Sequence, residues 1–225
     1  MNLAALISGG KDSLYAAYLN KKDVKHFLSF ISENPESYMF HIPNIHLTEV
    51  ISDITGIPLK LVKTKGAKEE ELKDIKEALR SLNIDGVVTG AVASNYQKSR
   101  IDKICEELGI KSIAPLWEKD PEETIRAMLK DGFEIIITAV AAPPLDKKWL
   151  GRKINKKCIE ELIKLNKEHG IHIMGEGGEY ETLVLDCPLY SKKIKIKKSA
   201  KHWDEKTKSG MLSIEEIELK EKYHN

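Results

Sequence analysis

The sequence predicts an α/β fold built on a parallel sheet in its first half and a strand-rich region after it. Apolar runs of strand length alternate with amphipathic segments of helix length. Strands and helices that alternate in this way form βαβ units, so we expect a parallel sheet with helices on both faces. Near residue 118 the alternation gives way to mostly strand-like patterns. We therefore predict two domains, residues 1–118 and a smaller α+β domain at residues 119–225.

Apolar spacing and turn residues define the elements of the first domain. Residues 3–7 form a short apolar run that Gly9 and Gly10 end, which is typical of a buried strand. Apolar residues at helical spacing predict the helices. The predicted strands are 3–7, 26–31, 58–62, 84–90 and 112–114, and the predicted helices lie around 12–22, 47–54, 72–82 and 101–108.

The second domain begins with a strong helix start. Asp120, Pro121 and Glu123 have the types of an N-cap, a first-turn proline and the third residue of a capping box. Asn155 is the predicted cap of a second helix that ends at Gly170. Strands are predicted at 134–142, 182–190, 193–198 and 212–219, and a phase slip at 215–216 indicates a bulge or bend.

Bulk composition excludes several classes of protein. The 36 basic and 35 acidic residues give a net charge of +1, which argues against a general electrostatic attraction to nucleic acid. No apolar run reaches the roughly 20 residues that span a bilayer, and the start of the chain lacks the basic segment of a signal peptide. We expect a cytoplasmic protein without membrane contact. Its three cysteines, with no close pair, are expected to be buried free thiols.

The loop after the first strand has the residues of a phosphate-binding cradle. Its glycines let backbone N–H groups approach an anion, and the following helix adds unpaired N–H donors at its start. Lys11 adds a full positive charge. The string SGGKDS has neither the Walker A spacing nor the dinucleotide-binding spacing. The predicted phosphate-binding residues are Ser8, Gly9, Gly10, Lys11, Asp12 and Ser13.

A second candidate site follows the strand at 84–90, at the edge of the sheet where open α/β folds bind ligands. Gly90 can let the chain pass close to a nucleotide, and Ser94, Asn95 and Gln97 offer hydrogen bonds. Arg100 can bind phosphate. A structural interpretation also stands, in which Ser94 is a helix cap and Arg100 a solvated surface charge.

Three glutamates, Glu176, Glu179 and Glu181, lie in one glycine-rich turn. Like charges that crowd together cost free energy unless a cation accompanies them. One interpretation is a carboxylate that binds ammonium and accepts its proton. The alternatives are a Mg²⁺ site and an ordinary solvated loop.

Several strings together resemble a known family. SGGKDS resembles the PP-loop of the N-type ATP pyrophosphatases. In chain order, the full set is similar to the diphthine–ammonia ligase family from residue 1 to about residue 190. The strings are SGGKDS at 8–13, SYMFH at 37–41, GAVASNYQ at 90–97 with Arg100, PLW at 115–117, LGR at 150–152 and GEGGEYET at 175–182.

This resemblance implies a fold and a reaction. The fold is a Rossmann-like parallel sheet of the adenine nucleotide alpha hydrolase type. The reaction converts the carboxylate of diphthine, on translation elongation factor 2, into an amide with ATP and ammonium. The loop would hold the β- and γ-phosphates, and Mg²⁺ is inferred to accompany ATP. By resemblance, the catalytic residues are Lys11, Glu176, Glu179 and Glu181, and His41 joins the nucleotide-binding residues. SGGKDS and the glutamate turn are then expected to face one cleft.

Two other functions fit the loop less well. A tRNA-modifying PP-loop enzyme would be expected to have a basic excess, and the sulfur-transferring kind often carries paired cysteines; this sequence has neither. A nucleotide-binding sensor without catalysis would not need SGGKDS or the glutamate turn. Free ammonium is the expected nitrogen source, because the sequence shows no glutaminase domain, and a partner glutaminase is the alternative.

Overall fold

The computed structural model describes residues 1–32, 44–64, 68–141 and 143–222. The chain forms two compact units, Met1–Glu118 and Lys119–Asn225. The first unit contains a parallel five-stranded sheet with helices, and the second contains a four-stranded antiparallel sheet. The predicted fold class is confirmed. The sequence analysis places the domain boundary at the same residue, and the roles it gives the two domains remain predictions.

The first unit alternates strands and helices. Its strands are β1 (Leu3–Leu6), β2 (Val24–Ser32), β3 (Leu59–Thr64), β4 (Gly86–Val88) and β5 (Lys111–Ile113), and its helices are α1 (Lys11–Leu19), α2 (Leu47–Thr55), α3 (Lys68–Arg80) and α4 (Asn95–Leu108). The strand order is β3-β2-β1-β4-β5, and every pairing is parallel. The chain therefore builds one side of the sheet from β1 to β3 and the other from β4 to β5. Ligands bind at such a reversal of strand order, which here lies between β1 and β4.

Small residues let α1 lie close to the central strand. Ala4 and Ala5 of β1 are fully buried, and so are Ala16 and Ala17 of α1, which packs on β1. Larger apolar residues fill the core beside α3 and α4, among them Leu28, Phe30, Ile75, Leu79, Val87, Ile101 and Ile104. Close packing on β1 fixes the start of α1 relative to the sheet, and with it the loop between the two elements.

The second unit places its helices before most of its strands. Its elements are α5 (Pro121–Lys130), β6 (Glu134–Val140), a 3₁₀ turn (Lys147–Trp149), α6 (Lys156–His169), β7 (Tyr180–Asp186), β8 (Lys192–Asp204) and β9 (Ser209–Glu221). The sheet order is β7-β6-β9-β8 with antiparallel pairing. Ile135, Ile136 and Ile137 of β6 are almost entirely buried, as expected for an inner strand.

The predicted helix caps of this unit are confirmed. Asp120 Oδ1 accepts a hydrogen bond from Glu123 N at 2.8 Å, and Asn155 Oδ1 accepts one from Cys158 N at 2.9 Å. Gly170 ends α6 in the left-handed conformation. These bonds occupy backbone donors that the first turn of a helix would otherwise leave unpaired.

The last strands differ in length from the prediction. β7 begins two residues earlier and ends at Asp186, whereas β8 continues to Asp204 because it pairs with β9 along its whole length. The register of this pair shifts opposite Glu216, so the predicted bulge is confirmed. Cross-strand ion pairs such as Lys198–Glu215, at 2.6 Å, flank the irregularity.

The three cysteines are buried and free, as expected. Burial raises the pKa of the Cys105 thiol to about 11 and that of Cys187 to about 12. Both thiols are therefore protonated near neutral pH and are poor nucleophiles.

No helix in the described ranges is long and apolar enough to cross a membrane.

Candidate active site

Hydrogen bonds of Ser8 and Ser13 hold the loop after β1 together. Ser13 Oγ accepts a hydrogen bond from Ser8 N at 3.2 Å and donates one to Gly10 O at 3.1 Å. Gly10 N donates to Ser8 Oγ at 3.3 Å. Gly9 has a φ of 83°, and Gly10 precedes α1 without a side-chain cap on the helix. The serines therefore set the shape of the loop and do not cap the first turn of the helix.

Lys11 is almost fully buried beside a carboxylate. Its side chain is 2% exposed, and its Nζ lies 2.7 Å from Asp12 Oδ2. The sequence predicts that Lys11 offers a full positive charge to phosphate. In the structure, that charge is already paired with the Asp12 carboxylate. The other carboxylate oxygen, Asp12 Oδ1, is buried and has no hydrogen-bond partner within the described ranges. Such an atom at a candidate ligand site needs an explanation.

Gly90 brings the end of β4 against the start of α1. A Cβ on Gly90 would lie 2.5 Å from Ser13 N and 2.6 Å from the carbonyl carbon of Asp12. Only glycine fits there, because both neighbours are backbone atoms. The sequence analysis predicts that Gly90 lets the chain pass close to a nucleotide. The structure shows that Gly90 also lies against the first turn of α1. The chain at Gly90 therefore lies against the end of the loop at 8–13, and a single site formed by this loop and the stretch at 90–100 remains a prediction.

The start of α4 combines structural and candidate binding roles. Ser94 caps the helix and accepts a hydrogen bond from Gln97 N at 3.4 Å. The Arg100 guanidinium lies 3.4 Å from the centre of the Tyr96 ring, and its Nη1 donates to Tyr96 O at 3.3 Å. Arg100 Nε is buried without a hydrogen-bond partner in the described part of the chain. Ser94 thus has the capping role that the sequence left open, and Arg100 is held against Tyr96 rather than fully solvated.

Two other strings from the sequence analysis concern this unit. His41 and the rest of the string at 37–41 lie outside the described residues. The string at 115–117 follows β5, and the next residue, Glu118, donates from its backbone N to Val92 O at 2.9 Å. The chain after β5 therefore adjoins the loop between β4 and α4. Asn95, also predicted to bind nucleotide, is exposed at the first position of α4.

In the second unit, the three glutamates of the glycine-rich turn differ in burial. Glu181 is exposed on β7, Glu176 is half-buried and Glu179 is only 8% exposed. Glu179 Oε1 accepts a hydrogen bond from His172 N at 2.6 Å. Glu179 Oε2 is buried and has no hydrogen-bond partner among the described residues. Glu179 is therefore the most buried of the three carboxylates.

The glycines of this turn allow two close approaches. A Cβ on Gly177 would lie 2.7 Å from Glu179 Oε1, so a side chain at this position would collide with the carboxylate. A Cβ on Gly175 would lie 2.8 Å from Tyr180 O. The Tyr180 hydroxyl donates to Ile173 O at 2.5 Å. The turn thus folds back on the chain before it.

The remaining string of the second unit, LGR, has structural contacts. Arg152 forms an ion pair with Glu161 at 2.6 Å and lies 4.3 Å from the centre of the Trp149 ring. The hydrogen bond from Arg152 to Glu161 raises the pKa of the guanidinium and lowers that of the carboxyl.

Within the described ranges, no group of three or more His, Cys, Asp or Glu side chains is arranged to hold a metal ion.

Comparisons with known proteins identify the family of this chain. The family model for the diphthamide synthase N-terminal domain matches residues 1–112, and the model for its C-terminal domain matches residues 120–219. The chain is 33% identical to a diphthine–ammonia ligase of Rattus norvegicus over 222 residues, which cover 87% of this chain and 83% of that protein.

Two further relatives bear the same name. A diphthine–ammonia ligase of Danio rerio is 32% identical over 224 residues, which cover 87% of this chain and 86% of the relative. One of Schizosaccharomyces pombe is 32% identical over 217 residues, which cover 86% of this chain and 36% of that longer protein. The chain belongs to the diphthine–ammonia ligase family. The resemblance that the sequence strings indicated is confirmed.

The two matched domains of diphthine–ammonia ligases correspond to the two compact units. The phosphate cradle belongs to the N-terminal match and the glutamate turn to the C-terminal match. Membership makes the chain a ligase of a family that uses ATP as a substrate. The residues that perform the chemistry, and the cleft expected between the two motifs, remain predictions.

The sequence analysis missed one residue that forms hydrogen bonds in and around the glutamate turn. His172 N donates to Glu179, and His172 Nδ1 accepts a hydrogen bond from Met174 N at 3.1 Å. A histidine seven residues before a glutamate has no periodic relation to it in an irregular segment. Its proximity to the GEGGEYET string was the only available signal.

Gly90→Ala tests the junction between β4 and α1. The new Cβ would press on backbone, so we expect the free energy of unfolding to fall by about 1–3 kcal/mol, as for other overpacked sites. ATP affinity should fall as well, because the cradle shifts with α1. Urea unfolding and calorimetric ATP titration measure the two effects.

Gly109→Ala is the matched control. Gly109 has a φ of 68° and no atom within 4 Å of a new Cβ, so this variant should lose about 1 kcal/mol of stability from backbone strain alone. Its ATP affinity should equal that of the unaltered chain. If Gly90→Ala behaves in the same way as Gly109→Ala, the junction does not shape the cradle.

Proposed function

We propose that this chain amidates the diphthine carboxylate of translation elongation factor 2 with ammonium, which converts it to diphthamide on the factor and splits ATP into AMP and pyrophosphate. The observation that carries the proposal is the match to both domains of diphthamide synthase, in a chain with the SGGKDS loop at the reversal of strand order. The relatives share the name diphthine–ammonia ligase. The factor works on cytoplasmic ribosomes, so we propose the cytoplasm as the compartment.

The chemistry requires an activated carboxylate. Ammonia cannot displace oxide from a carboxylate, because oxide is a very poor leaving group. Attack of the carboxylate on the α-phosphate of ATP produces an acyl-adenylate, whose leaving group is AMP. Pyrophosphate departs in the same step, and its growing negative charge must be stabilised. The backbone N–H groups around Gly9 and Gly10, the start of α1 and the Lys11 ammonium are the proposed source of that stabilisation.

The Lys11–Asp12 pair supports a specific division of labour in the cradle. An approaching phosphate competes with Asp12 for the Lys11 ammonium. Asp12 Oδ1 is a buried carboxylate oxygen without a hydrogen-bond partner within the described ranges, and carboxylate oxygen is the ligand type that Mg²⁺ prefers. We propose that Asp12 would hold a Mg²⁺ ion that arrives with ATP. Such an ion would neutralise charge at the phosphates, and the Lys11 ammonium would then be available to pyrophosphate.

Arg100 is the second proposed phosphate ligand. Its guanidinium is fixed against Tyr96, which reduces the side-chain entropy that binding would otherwise cost. Its Nε donor is buried without a hydrogen-bond partner in the described segments, so a phosphate oxygen would satisfy it. Ser94, Asn95 and Gln97 remain proposed hydrogen-bonding residues for the nucleotide, with Ser94 also serving as the cap of α4.

Glu179 is the proposed ammonium-binding residue. A buried carboxylate with one hydrogen-bonded oxygen and one oxygen without a partner is costly, because burial removes the water that would solvate it. Ammonium supplies both a positive charge and N–H donors. We propose that Glu179 Oε2 binds ammonium and accepts a proton from it, so that neutral ammonia attacks the acyl-adenylate. Glu176 and Glu181 are more exposed and fit this role less well.

The position at which ATP is cut gives the first test. We expect ATP labelled with ³²P at the α-phosphate to give labelled AMP when the protein, ammonium and diphthine-bearing elongation factor 2 are present. Thin-layer chromatography separates the products, and mass spectrometry of the factor follows the amide. Labelled ADP as the main product would reject the PP-loop mechanism. AMP without amide on the factor would reject this substrate.

Glu179→Gln gives the second test. It keeps the size of the side chain and removes its charge and its basicity. ATP affinity should be unchanged, because the cradle at 8–13 does not include Glu179. Amide formation should fall by about 10²–10⁴-fold if the carboxylate is the general base. AMP release and amide product are measured separately at several ammonium concentrations.

Glu160→Gln is the surface control for this variant. Glu160 is an exposed glutamate of α6, and its substitution should change neither product. Amide formation by Glu179→Gln at the rate of the unaltered chain would make the turn an ordinary loop. A loss of ATP affinity would assign Glu179 to Mg²⁺ instead of ammonium.

A further inference from the structure

The segment before β7 is tied together by hydrogen bonds that converge on His172. Its backbone N donates to Glu179 Oε1 at 2.6 Å, and its backbone O accepts from Gly175 N at 2.9 Å. Its ring Nδ1 accepts from Met174 N at 3.1 Å. One residue thus contacts both the start of the turn and the buried carboxylate.

The ring bond has the geometry of an Asx turn. In such turns a side-chain acceptor binds the backbone N–H two residues ahead and replaces a backbone hydrogen bond. His172 Nδ1 and Met174 N have this spacing. Because Nδ1 accepts a backbone donor, the ring proton lies on Nε2. The imidazole therefore closes the turn through Nδ1, and that nitrogen is not available to accept a proton from a substrate.

This turn aims the His172 N–H at Glu179. The Glu179 carboxylate lies close to Gly177, since a Cβ on that glycine would be 2.7 Å from Oε1. The backbone O of Glu179 accepts a hydrogen bond from Ala141 N at 2.9 Å. Oε1 is thereby fixed by the His172 amide, which leaves Oε2 in a defined direction. The Tyr180 hydroxyl bond to Ile173 O, at 2.5 Å, fixes the neighbouring residue in the same way.

We propose that His172 is a positioning residue: its ring closes the turn that holds the Glu179 carboxylate in place for ammonium. This inference rests on the proposed function. It goes beyond that function because it makes a histidine outside the glutamate string responsible for the orientation of the carboxylate that binds ammonium. His172 acts through Glu179. It takes no proton in the reaction.

Three variants test this role. His172→Ala removes the ring acceptor. His172→Asn keeps an acceptor of the type that forms Asx turns. His172→Gln has a side chain one methylene longer than that of Asn, and this extra length places its acceptor poorly for the two-residue turn. The Gln variant replaces the Ala variant if the Ala variant does not fold. His169→Ala, which removes an exposed histidine at the end of α6, is the control.

The kinetic readout is the KM for ammonium, measured beside the KM for ATP. Loss of one neutral hydrogen bond predicts a rise of about 3- to 10-fold in the ammonium KM for His172→Ala and His172→Gln. The ATP KM should not change. His172→Asn should return the ammonium KM to within about 2-fold of the starting value, since it restores that bond.

The second readout needs no turnover. Exchange of the backbone amide hydrogen of residue 172, followed by NMR, reports whether Glu179 still accepts its hydrogen bond. We expect exchange about 3- to 10-fold faster in the Ala or Gln variant and slow again in the Asn variant. The control variant should match the unaltered chain in both readouts.

Two results would overturn the inference. Equal ammonium KM values and equal amide exchange in the Ala variant and the unaltered chain would remove any positioning role. An Asn variant as impaired as the Ala variant would mean that the ring itself is needed, and so would assign it a direct part in proton transfer. If the unaltered chain forms no amide at all, the proposed function fails, and amide exchange alone then decides whether His172 orders Glu179.

Discussion

The contact of Gly90 with the first turn of α1 is the constraint on which the proposed nucleotide site depends. It requires β4 beside β1, a helix close to a strand of small residues, and no side chain at Gly90, two residues after β4. Each of these requirements is met by residues that bind no ligand themselves. The strand order therefore brings the cradle and the stretch at 90–100 together, and the absent Cβ lets them touch.

The two units share an electrostatic feature. Each keeps a buried carboxylate oxygen without a hydrogen-bond partner among the described residues: Asp12 Oδ1 in the first and Glu179 Oε2 in the second. Burial of such an atom opposes folding, so its presence at both candidate stations favours a ligand as the partner that completes it. The proposed partners differ in chemistry. A divalent ion suits Asp12 beside phosphates, whereas ammonium suits a carboxylate that must also accept a proton.

Local sequence patterns were sufficient for the elements and insufficient for the sites. The caps at Asp120 and Asn155 and the bulge near Glu216 follow from short-range rules, and the structure has all three. The pairing of Lys11 with Asp12, the burial of Glu179 and the contact at Gly90 depend on which segments the fold brings together. The extent of β8 likewise follows from its partner β9, since its own alternation weakens after residue 198. Motif strings predicted the two candidate sites, and only the tertiary structure distinguished the buried Glu179 from Glu176 and Glu181.

The central claim is that the diphthine carboxylate attacks the α-phosphate of ATP, and that ammonia then displaces AMP from the resulting acyl-adenylate. If so, one carboxylate oxygen leaves with AMP. The direct measurement uses elongation factor 2 whose diphthine carboxylate carries ¹⁸O, with the protein, unlabelled ATP and ammonium, and mass spectrometry of the AMP produced. The acyl-adenylate route predicts one ¹⁸O atom in each AMP released with amide. Amide formation accompanied by AMP without ¹⁸O would contradict it.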